Sequence, residues 1–520
     1  MHPEFLHSAG AVDPSDAIRV RKKDPFRFAA TPPRAYPWPT LGVVAALLIW
    51  PALWNGYPLV FADSGTYLGQ ALLVYASWDR PPFYSLFLYA LHWRLSLWPA
   101  VVGQGVLLAH LIFLIFRVEG QAASLQLAAA AVALATLTGL PFIAAQLQPD
   151  LFTGCVVLAT WLLGFRYSAL SLNERVYLLM LATFSIVVHQ SHIPLAFGLI
   201  MVALPLRGAT EGLREAMQSV GRMLAPPLLA ILGLIAINTA AHKVPMLSPY
   251  GSVFLATRLL FDPAGANYLA RHCPEASFRV CDVRGAMGQG HNDFLWDLNG
   301  PLYTHLGGPK GWAAEASNLV RAIVADDPLG VARDAWRNTL SQLAHANTGE
   351  GLGPWPAAPG PEPLIHRFFP GEHGAFREAK QQRGELEPLV RRLAPFHVVV
   401  FCAGLPVLLG AATWRRLSPQ RFALVALIIA ATLGNAVIAG ALSGPSDRYQ
   451  ARILWLVTVA FFIVVPVRSV RGLVATRVGG TGLASGLAGR RAGLMPEVAQ
   501  QVVVGVSSEG ALARDVGRKP

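Results

Sequence analysis

Long apolar runs separated by short polar or basic stretches dominate the chain. A membrane-spanning helix needs roughly 20 mostly apolar residues, and ten runs approach that length. They lie at 41–60, 97–116, 124–141, 151–165, 176–188, 194–206, 223–241, 396–412, 422–442 and 453–467. The fifth and sixth runs are short and form either two spans or one broken hairpin around His189 and His192, so the count is between eight and eleven. The pattern predicts an all-α polytopic membrane protein with about ten transmembrane helices.

Composition agrees with this class. The 520 residues are 53% hydrophobic and only 14% charged, and the mean hydropathy is +0.44. A soluble multidomain protein is less apolar than this.

Basic residues predict the orientation, because Lys and Arg collect in cytoplasmic loops. Six of them precede the first run, which we interpret as a signal anchor rather than a cleaved signal peptide. With the N-terminus inside, the basic positions of the short loops all become cytoplasmic: Arg117, Arg166, Arg175, Arg207, Arg214, Arg222, Arg415, Arg416 and Arg421. The net charge of +12 therefore suits anionic lipid headgroups and requires no nucleic acid.

This topology divides the chain into five parts. We expect a basic cytoplasmic leader (1–39), an N-terminal transmembrane module (40–242), an extracytoplasmic loop domain (243–395), C-terminal transmembrane helices (396–468) and a disordered cytoplasmic tail (469–520). The inner loops lack carboxylate clusters and glycine-rich phosphate loops, so any chemistry is expected outside a bacterial-type inner membrane.

Asp63 is the most informative residue of the first outer loop. A carboxylate at a membrane boundary loses hydration and is therefore often functional, although Asp63 or Ser64 also suits the N-cap of a helix. Further along, Arg80-Pro81-Pro82 precedes an aromatic stretch from Phe83 to Tyr89. That stretch is typical of an interfacial anchor.

Other polar residues fall at the same predicted surface. Asp150 begins a span, where the helix dipole favours a carboxylate, so it is either a cap or a substrate or metal ligand. His189 and His192 are proton carriers, phosphate contacts, metal ligands or, as the pattern favours, interfacial residues bonded to the backbone. Arg448 and Arg452 are four apart and share one helix face, where they bind either a phosphate or Asp447.

The outer insertion contains two features of its own. Cys273 and Cys281 are close in sequence and predict a disulfide, with zinc bound by these cysteines, His272 and His291 as the alternative. Apolar residues at helical spacing predict helices over 311–346, with Asp327-Pro328 starting the second one.

The chain resembles the GT-C superfamily of membrane glycosyltransferases, which take sugars from polyprenyl phosphates and include the dolichyl-phosphate-mannose-dependent mannosyltransferases. The resemblance rests on Asp63 with Tyr67, on Arg80 before two prolines, and on two further pairs, Gln148-Pro149-Asp150 and Arg448-Tyr449. The chain departs from the family where Ser64, not a second acid, follows Asp63, and where Arg80 replaces the usual His.

The resemblance implies a GT-C-like fold and an extracytoplasmic sugar transferase. Asp63 would be the catalytic base, and His291, Asn292, Asp293 and Asp297 would contact the acceptor. The substrate-binding residues would be Tyr67, Arg80, Gln148, Asp150, His189, His192, Arg448, Tyr449 and Arg452. A divalent cation, Mg²⁺ or Mn²⁺, stays an open requirement, and the acceptor is a glycan, a lipid or a protein.

Two other functions fit the sequence. A transporter or flippase of a lipid-linked or small solute would use intramembrane polar residues such as Asn238 and Asn435, whereas the polar residues here gather on one side. The second of these alternatives is a noncatalytic component of envelope polysaccharide assembly.

Overall fold

A computed structural model describes residues 36–122, 125–288, 290–355, 360–414 and 417–465. Residues 1–35 of the predicted basic leader (1–39), Arg415, Arg416 and the predicted tail lie outside these residues. Within them the regular structure is α-helical, with short 3₁₀ turns, one isolated β-bridge and connecting loops. The first eleven helices are α1 (Trp38–Leu48), α2 (Trp50–Asn55), α3 (Ala62–Leu73), α4 (Phe83–His92), α5 (Trp98–Val118), α6 (Leu125–Leu137), α7 (Leu140–Ala144), α8 (Leu151–Phe165), α9 (Leu172–Val187), α10 (His192–Glu211) and α11 (Leu213–His242).

The insertion between α11 and α20, here called the outer insertion after its predicted side, contributes eight helices, and the C-terminal part contributes four. The insertion contains α12 (Gly251–Leu260), α13 (Pro263–His272), α14 (His291–Trp296), α15 (Pro301–Thr304), α16 (Gly308–Asp326), α17 (Pro328–Ala344), α18 (Glu362–Phe368) and α19 (Pro370–Glu378). The C-terminal helices are α20 (Leu386–Trp414), α21 (Pro419–Leu442), α22 (Asp447–Leu454) and α23 (Leu456–Val464).

Five of these helices, α5, α10, α11, α20 and α21, are long and apolar enough to cross a membrane. Their length and composition indicate a membrane protein. The other five predicted runs are also helical but shorter or divided. The first run breaks between α1 and α2, where Pro51 lies in the first turn of the new helix, because proline lacks the N–H that would continue the preceding helix. The last run divides at Trp455.

The outer insertion has a hydrophobic core of its own. Its buried residues run from Tyr250 to Ile323 and include Phe294 and Trp312. The membrane helices share a separate cluster that extends from Leu41 to Val464 and includes Ile365 and Phe376 from the later part of the insertion. The predicted boundary at 395 falls inside α20, which begins at Leu386 and accommodates Pro395 within the helix.

Two predictions for the insertion have clear outcomes. Cys273 and Cys281 form the predicted disulfide, which excludes zinc binding by these thiols. The helices α16 and α17 are present, and the Asp327 carboxylate accepts a hydrogen bond from Gly330 N at 2.8 Å as the predicted cap. Of the apolar residues at helical spacing, Leu319 and Ile323 of α16 are buried. In α17, Trp336 and Leu340 face outward, whereas Val331 is partly buried against the core of the insertion.

Candidate functional site: an alternating chain of carboxylates and guanidiniums

Backbone pairing places the first outer loop beside the residues that precede α8. Leu59 N donates to Ala145 O at 3.0 Å, and Leu147 N donates to Leu59 O at 2.8 Å. Ser64 Oγ donates to Leu147 O at 2.9 Å. These bonds bring the start of α3, which carries Asp63, next to the start of α8 and Asp150.

Asp63 lies in the first turn of α3 and pairs with two arginines. Arg80 contacts its Oδ1, and Arg448 Nη1 lies 2.9 Å from its Oδ2. Burial raises the pKa of this carboxyl, but the charges of Arg80 and Arg448 outweigh burial and hold the pKa below its ordinary value. The prediction that Asp63 or Ser64 is the N-cap residue of this helix is wrong. Phe61 is the N-cap residue, and its backbone N–H donates to Ser64 Oγ.

Asp150 also binds two arginines instead of capping its helix. Its Oδ2 lies 3.2 Å from Arg448 Nε, and its Oδ1 lies 3.1 Å from Arg452 Nη1. No side-chain cap bond forms at the start of α8. Arg448 therefore bridges the two carboxylates of the two outer boundaries.

Packing of α22 and α23 on α8 fixes Arg452 in place. Gly154 lies one turn after Asp150, and a Cβ there would come within 2.2 Å of the Trp455 ring, so only glycine leaves room for this ring. Trp455 in turn donates through Nε1 to Arg452 O at 2.9 Å. The guanidinium of Arg452, whose side chain is 2% exposed, also donates to Asn435 Oδ1 at 2.9 Å.

Arg448 lies against aromatic rings and a third acidic residue. Its guanidinium carbon is 4.7 Å from the Phe61 ring centre and 5.2 Å from that of Tyr449. Glu350 accepts a hydrogen bond from Arg448 N at 2.8 Å. Asp447 does not pair with the arginines, since its carboxylate accepts from Asn347 N at 2.9 Å.

A cleft opens beside the alternating acids and arginines, here called the charged chain: Asp79, Arg80, Asp63, Arg448, Asp150 and Arg452. Asp150, Arg448, Glu350 and Gln146 line it together with apolar residues, and its cavity volume is about 20 Å³. That volume holds about one water molecule, so a larger ligand enters only if these side chains move apart.

The two histidines lie beside Arg452. His189 Nδ1 and Ser191 Oγ are 2.8 Å apart, and Ser191 Oγ accepts from Arg452 Nη2 at 3.3 Å. Burial, followed by the Arg452 charge, holds the pKa of His189 well below its ordinary value, so the ring is neutral. His192 is buried between Ser185 O and Thr153 Oγ1, as expected of a histidine bonded to the backbone.

Two other predicted site residues make apolar or remote contacts. Tyr67 is buried with its ring 5.0 Å from that of Tyr84. Gln148 donates to Gln146 Oε1 at 2.5 Å and makes no direct bond to the arginines among the described residues. Both residues pack or hydrogen-bond beside the charged chain and do not belong to it.

The outer insertion reaches the site through α14. Trp296 lies 5.9 Å below the guanidinium carbon of Arg80, and the His291 ring lies close to Gly444 in the last outer turn. Asp293 and Asp297 flank these contacts and are exposed. The residues expected to contact an acceptor therefore border the charged chain without joining it.

The charged chain does not resemble a metal centre. Within the part of the chain that the structure describes, no group of three His, Cys, Asp or Glu side chains is arranged to hold a metal ion. Both oxygens of Asp63 face guanidiniums, which is a poor fit to a metal bound by this carboxylate.

The site thus alternates acids and bases: Asp79, Arg80, Asp63, Arg448, Asp150 and Arg452 follow one another in space. Guanidiniums that share carboxylates can exchange them for a phosphate without losing charge pairing. No protein-family model matches the chain, and comparison with curated proteins and with solved structures gives no significant match.

Proposed function

We propose that the chain is a membrane glycosyltransferase of the GT-C type, which transfers a sugar from a polyprenyl-phosphate donor on the extracytoplasmic side. The acceptor is a glycan, lipid or protein. In this proposal the membrane is a bacterial-type inner membrane, ten segments cross it, and both termini are cytoplasmic. The observation that carries it is Arg448, held between Asp63 and Asp150 at the edge of a cleft.

Arg448 and Arg452 suit a phosphate diester. They project from one face of α22, and Asp150 pairs with both. A donor phosphate that takes the place of one carboxylate oxygen gains charge-assisted hydrogen bonds, and its negative charge grows as the sugar departs. The arginines would therefore stabilise the leaving group more strongly than the intact donor.

Asp63 would act as the base once a phosphate is bound. Without donor, its two guanidinium partners lower its pKa and make it a weak base. A phosphate that draws Arg448 away raises the proton affinity of Asp63. The acceptor hydroxyl then gives its proton to Asp63, its oxygen bonds to the sugar carbon, and the bond from that carbon to the phosphate oxygen breaks. Polyprenyl phosphate leaves with the electron pair.

The placement of the polar residues supports an enzyme over a transporter. Asn238 lies one turn before the end of α11 and donates to the carbonyls of Met246 and Leu247. Asn435 lies two turns before the end of α21 and donates to Tyr449 O at 2.6 Å. Both asparagines form hydrogen bonds to the backbone near the ends of their helices, whereas a transport pathway needs polar groups at the membrane midplane.

Transfer of labelled sugar from a panel of polyprenyl-phosphate donors tests the proposal. We expect turnover by the purified wild-type protein and none by Asp63→Asn, with donor binding retained. Glu119→Gln is the matched control, because Glu119 also bridges two arginines but lies at the other end of the bundle. Absence of transfer and hydrolysis with every donor, together with solute movement across liposomes, would replace the enzyme by the transporter.

A further inference from the structure

Helix α17 presents its apolar residues outward and its polar residues inward. Leu329, Trp336, Leu340 and Leu343 are 76%, 62%, 49% and 37% exposed. They are seven, four and three residues apart, so they form one stripe along the helix. A helix on the surface of a soluble domain has the opposite arrangement.

The inward face is fixed by specific polar contacts. Asp334 accepts from Ala264 N at 2.8 Å, and Asn338 donates to both oxygens of Asp262 at 3.2 Å. Gln342 donates to Ser446 O at 2.8 Å. Rotating the helix to bury its apolar stripe would break all of these buried bonds, so the outward direction of the stripe is built into the fold.

The neighbour of α17 indicates what covers the stripe. Its inward face meets α21, a helix long and apolar enough to cross the membrane. A Cβ at Gly440 of α21 would lie 2.7 Å from Asn338 O, so the two backbones touch. On α21 itself, Leu433 and Val437 are about half exposed. The polar face of α17 is therefore held against a spanning helix, and its apolar stripe faces away from that helix toward the lipid that would surround it.

The residues beside the stripe fit the membrane boundary. Arg333 flanks it and is exposed, where its side chain can reach phosphate headgroups. Arg337 is exposed beside it but pairs with Asp334 at 3.2 Å. Trp336 lies within the stripe, as expected for a ring at the interface between acyl chains and headgroups.

We propose that α17 is a membrane-embedded interfacial helix, with its Leu and Trp stripe among the lipid acyl chains. This surface is independent of sugar transfer. Because Gln342 holds Ser446 two residues before Arg448, the helix would also place the charged cleft at the lipid boundary.

A fluorescent label tests the proposal in nanodiscs of phosphatidylcholine and phosphatidylglycerol. Cys402 is exposed and is first replaced by Ser, while Cys155 is buried and the other two cysteines form the disulfide. An environment-sensitive dye is then attached to Leu340→Cys or, as control, to Arg321→Cys on the exposed face of α16. Leu343→Cys replaces the first variant if Leu340→Cys does not fold.

The expected result is a blue-shifted emission at position 340 that lipids brominated in their acyl chains quench at least about twofold. Dissolved iodide should quench this dye weakly and the dye at position 321 strongly. Iodide quenching equal at both positions would show a water-exposed stripe and overturn the proposal. Protection from both quenchers would overturn it as well, because a second copy of the chain would then cover the stripe.

Discussion

The two ends of the helix bundle both pair acids with arginines, but in different surroundings. At the end opposite the cleft, Glu119 contacts Arg166 through one oxygen, and its other oxygen lies 2.7 Å from Arg421 Nε. These residues join the ends of α5 and α8 to the start of α21. Nearby, Glu174 lies 2.7 Å from Arg117 Nη1.

Exposure of Arg452 distinguishes the cleft end from the arginines of Glu119. Arg166 and Arg421 are 18% and 30% exposed, so both reach water or headgroups if their carboxylate is lost. Arg452 is 2% exposed and bound to Asp150. An acid whose cations reach solvent mainly joins helix ends, whereas an acid beside a buried cation compensates its charge and controls its availability to a ligand.

The largest expected difference between the ends is in activity. Arg448→Gln removes the guanidinium that would hold the departing phosphate, and we expect transfer to fall by about 10² to 10³. Arg421→Gln, the matched change at the opposite end, should leave the initial rate near that of wild type. Equal losses in the two variants would remove the distinction between the ends.

The two ends of the bundle should also differ in how much the loss of a carboxylate destabilises the fold. Asp150→Asn leaves Arg452 buried without its carboxylate, which should lower the free energy of unfolding by about 3 to 5 kcal/mol. Denaturant unfolding in detergent measures this change. A loss below about 1 kcal/mol would mean that Asn435 and Ser191 alone satisfy Arg452.

A smaller loss is expected at the opposite end. Glu119→Gln frees Arg166 and Arg421, which turn toward solvent, so the cost should be about 1 kcal/mol. The same unfolding measurement checks it, with Asp150→Asn alongside. A loss as large as that of Asp150→Asn would show that Glu119 lies in an equally sequestered pair.

The smallest expected effect depends on pH. Because the pKa of Asp63 in the folded protein lies below its ordinary value, its ion pairs stabilise the fold above about pH 4, the ordinary value. That contribution disappears as the pH falls through the lower folded value. The stability difference between wild type and Asp63→Asn should be constant from about pH 7 to pH 5 and should shrink below about pH 4. A difference that grows in acid would contradict the pairing.

The helices and the grouping of the acids with the arginines could be predicted from the sequence. Apolar runs indicated every membrane helix, and alternation of the loops placed Asp63, Asp150, Arg448 and Arg452 at one surface. The breaks at Pro51 and Trp455 were missed, because a run of apolar residues reads the same whether its helix is continuous or divided.

The partners of these residues could not be predicted. Arg80 follows Asp63 by 17 residues and reaches it only because the loop folds back. Glu350 lies on a distant loop, and Asn435 lies inside a predicted span. No periodic pattern marks either residue as a partner of the arginines. Glu119 and Glu174, at the end opposite the cleft, were overlooked because single acids in basic loops are usually solvated. Both are buried in ion pairs.

Binding of polyprenyl phosphate itself tests the central claim most directly. The lipid has no sugar to transfer, so its affinity for the purified protein reports binding, including the proposed phosphate contacts of Arg448 and Arg452, separately from transfer. We predict saturable binding by wild type and by Glu119→Gln, and at least about a tenfold weaker affinity for Arg448→Gln, since a charge-assisted pair contributes about 1.5 to 3 kcal/mol. Equal affinity in all three proteins would contradict the claim that the Asp63, Arg448 and Asp150 chain is a lipid-phosphate site.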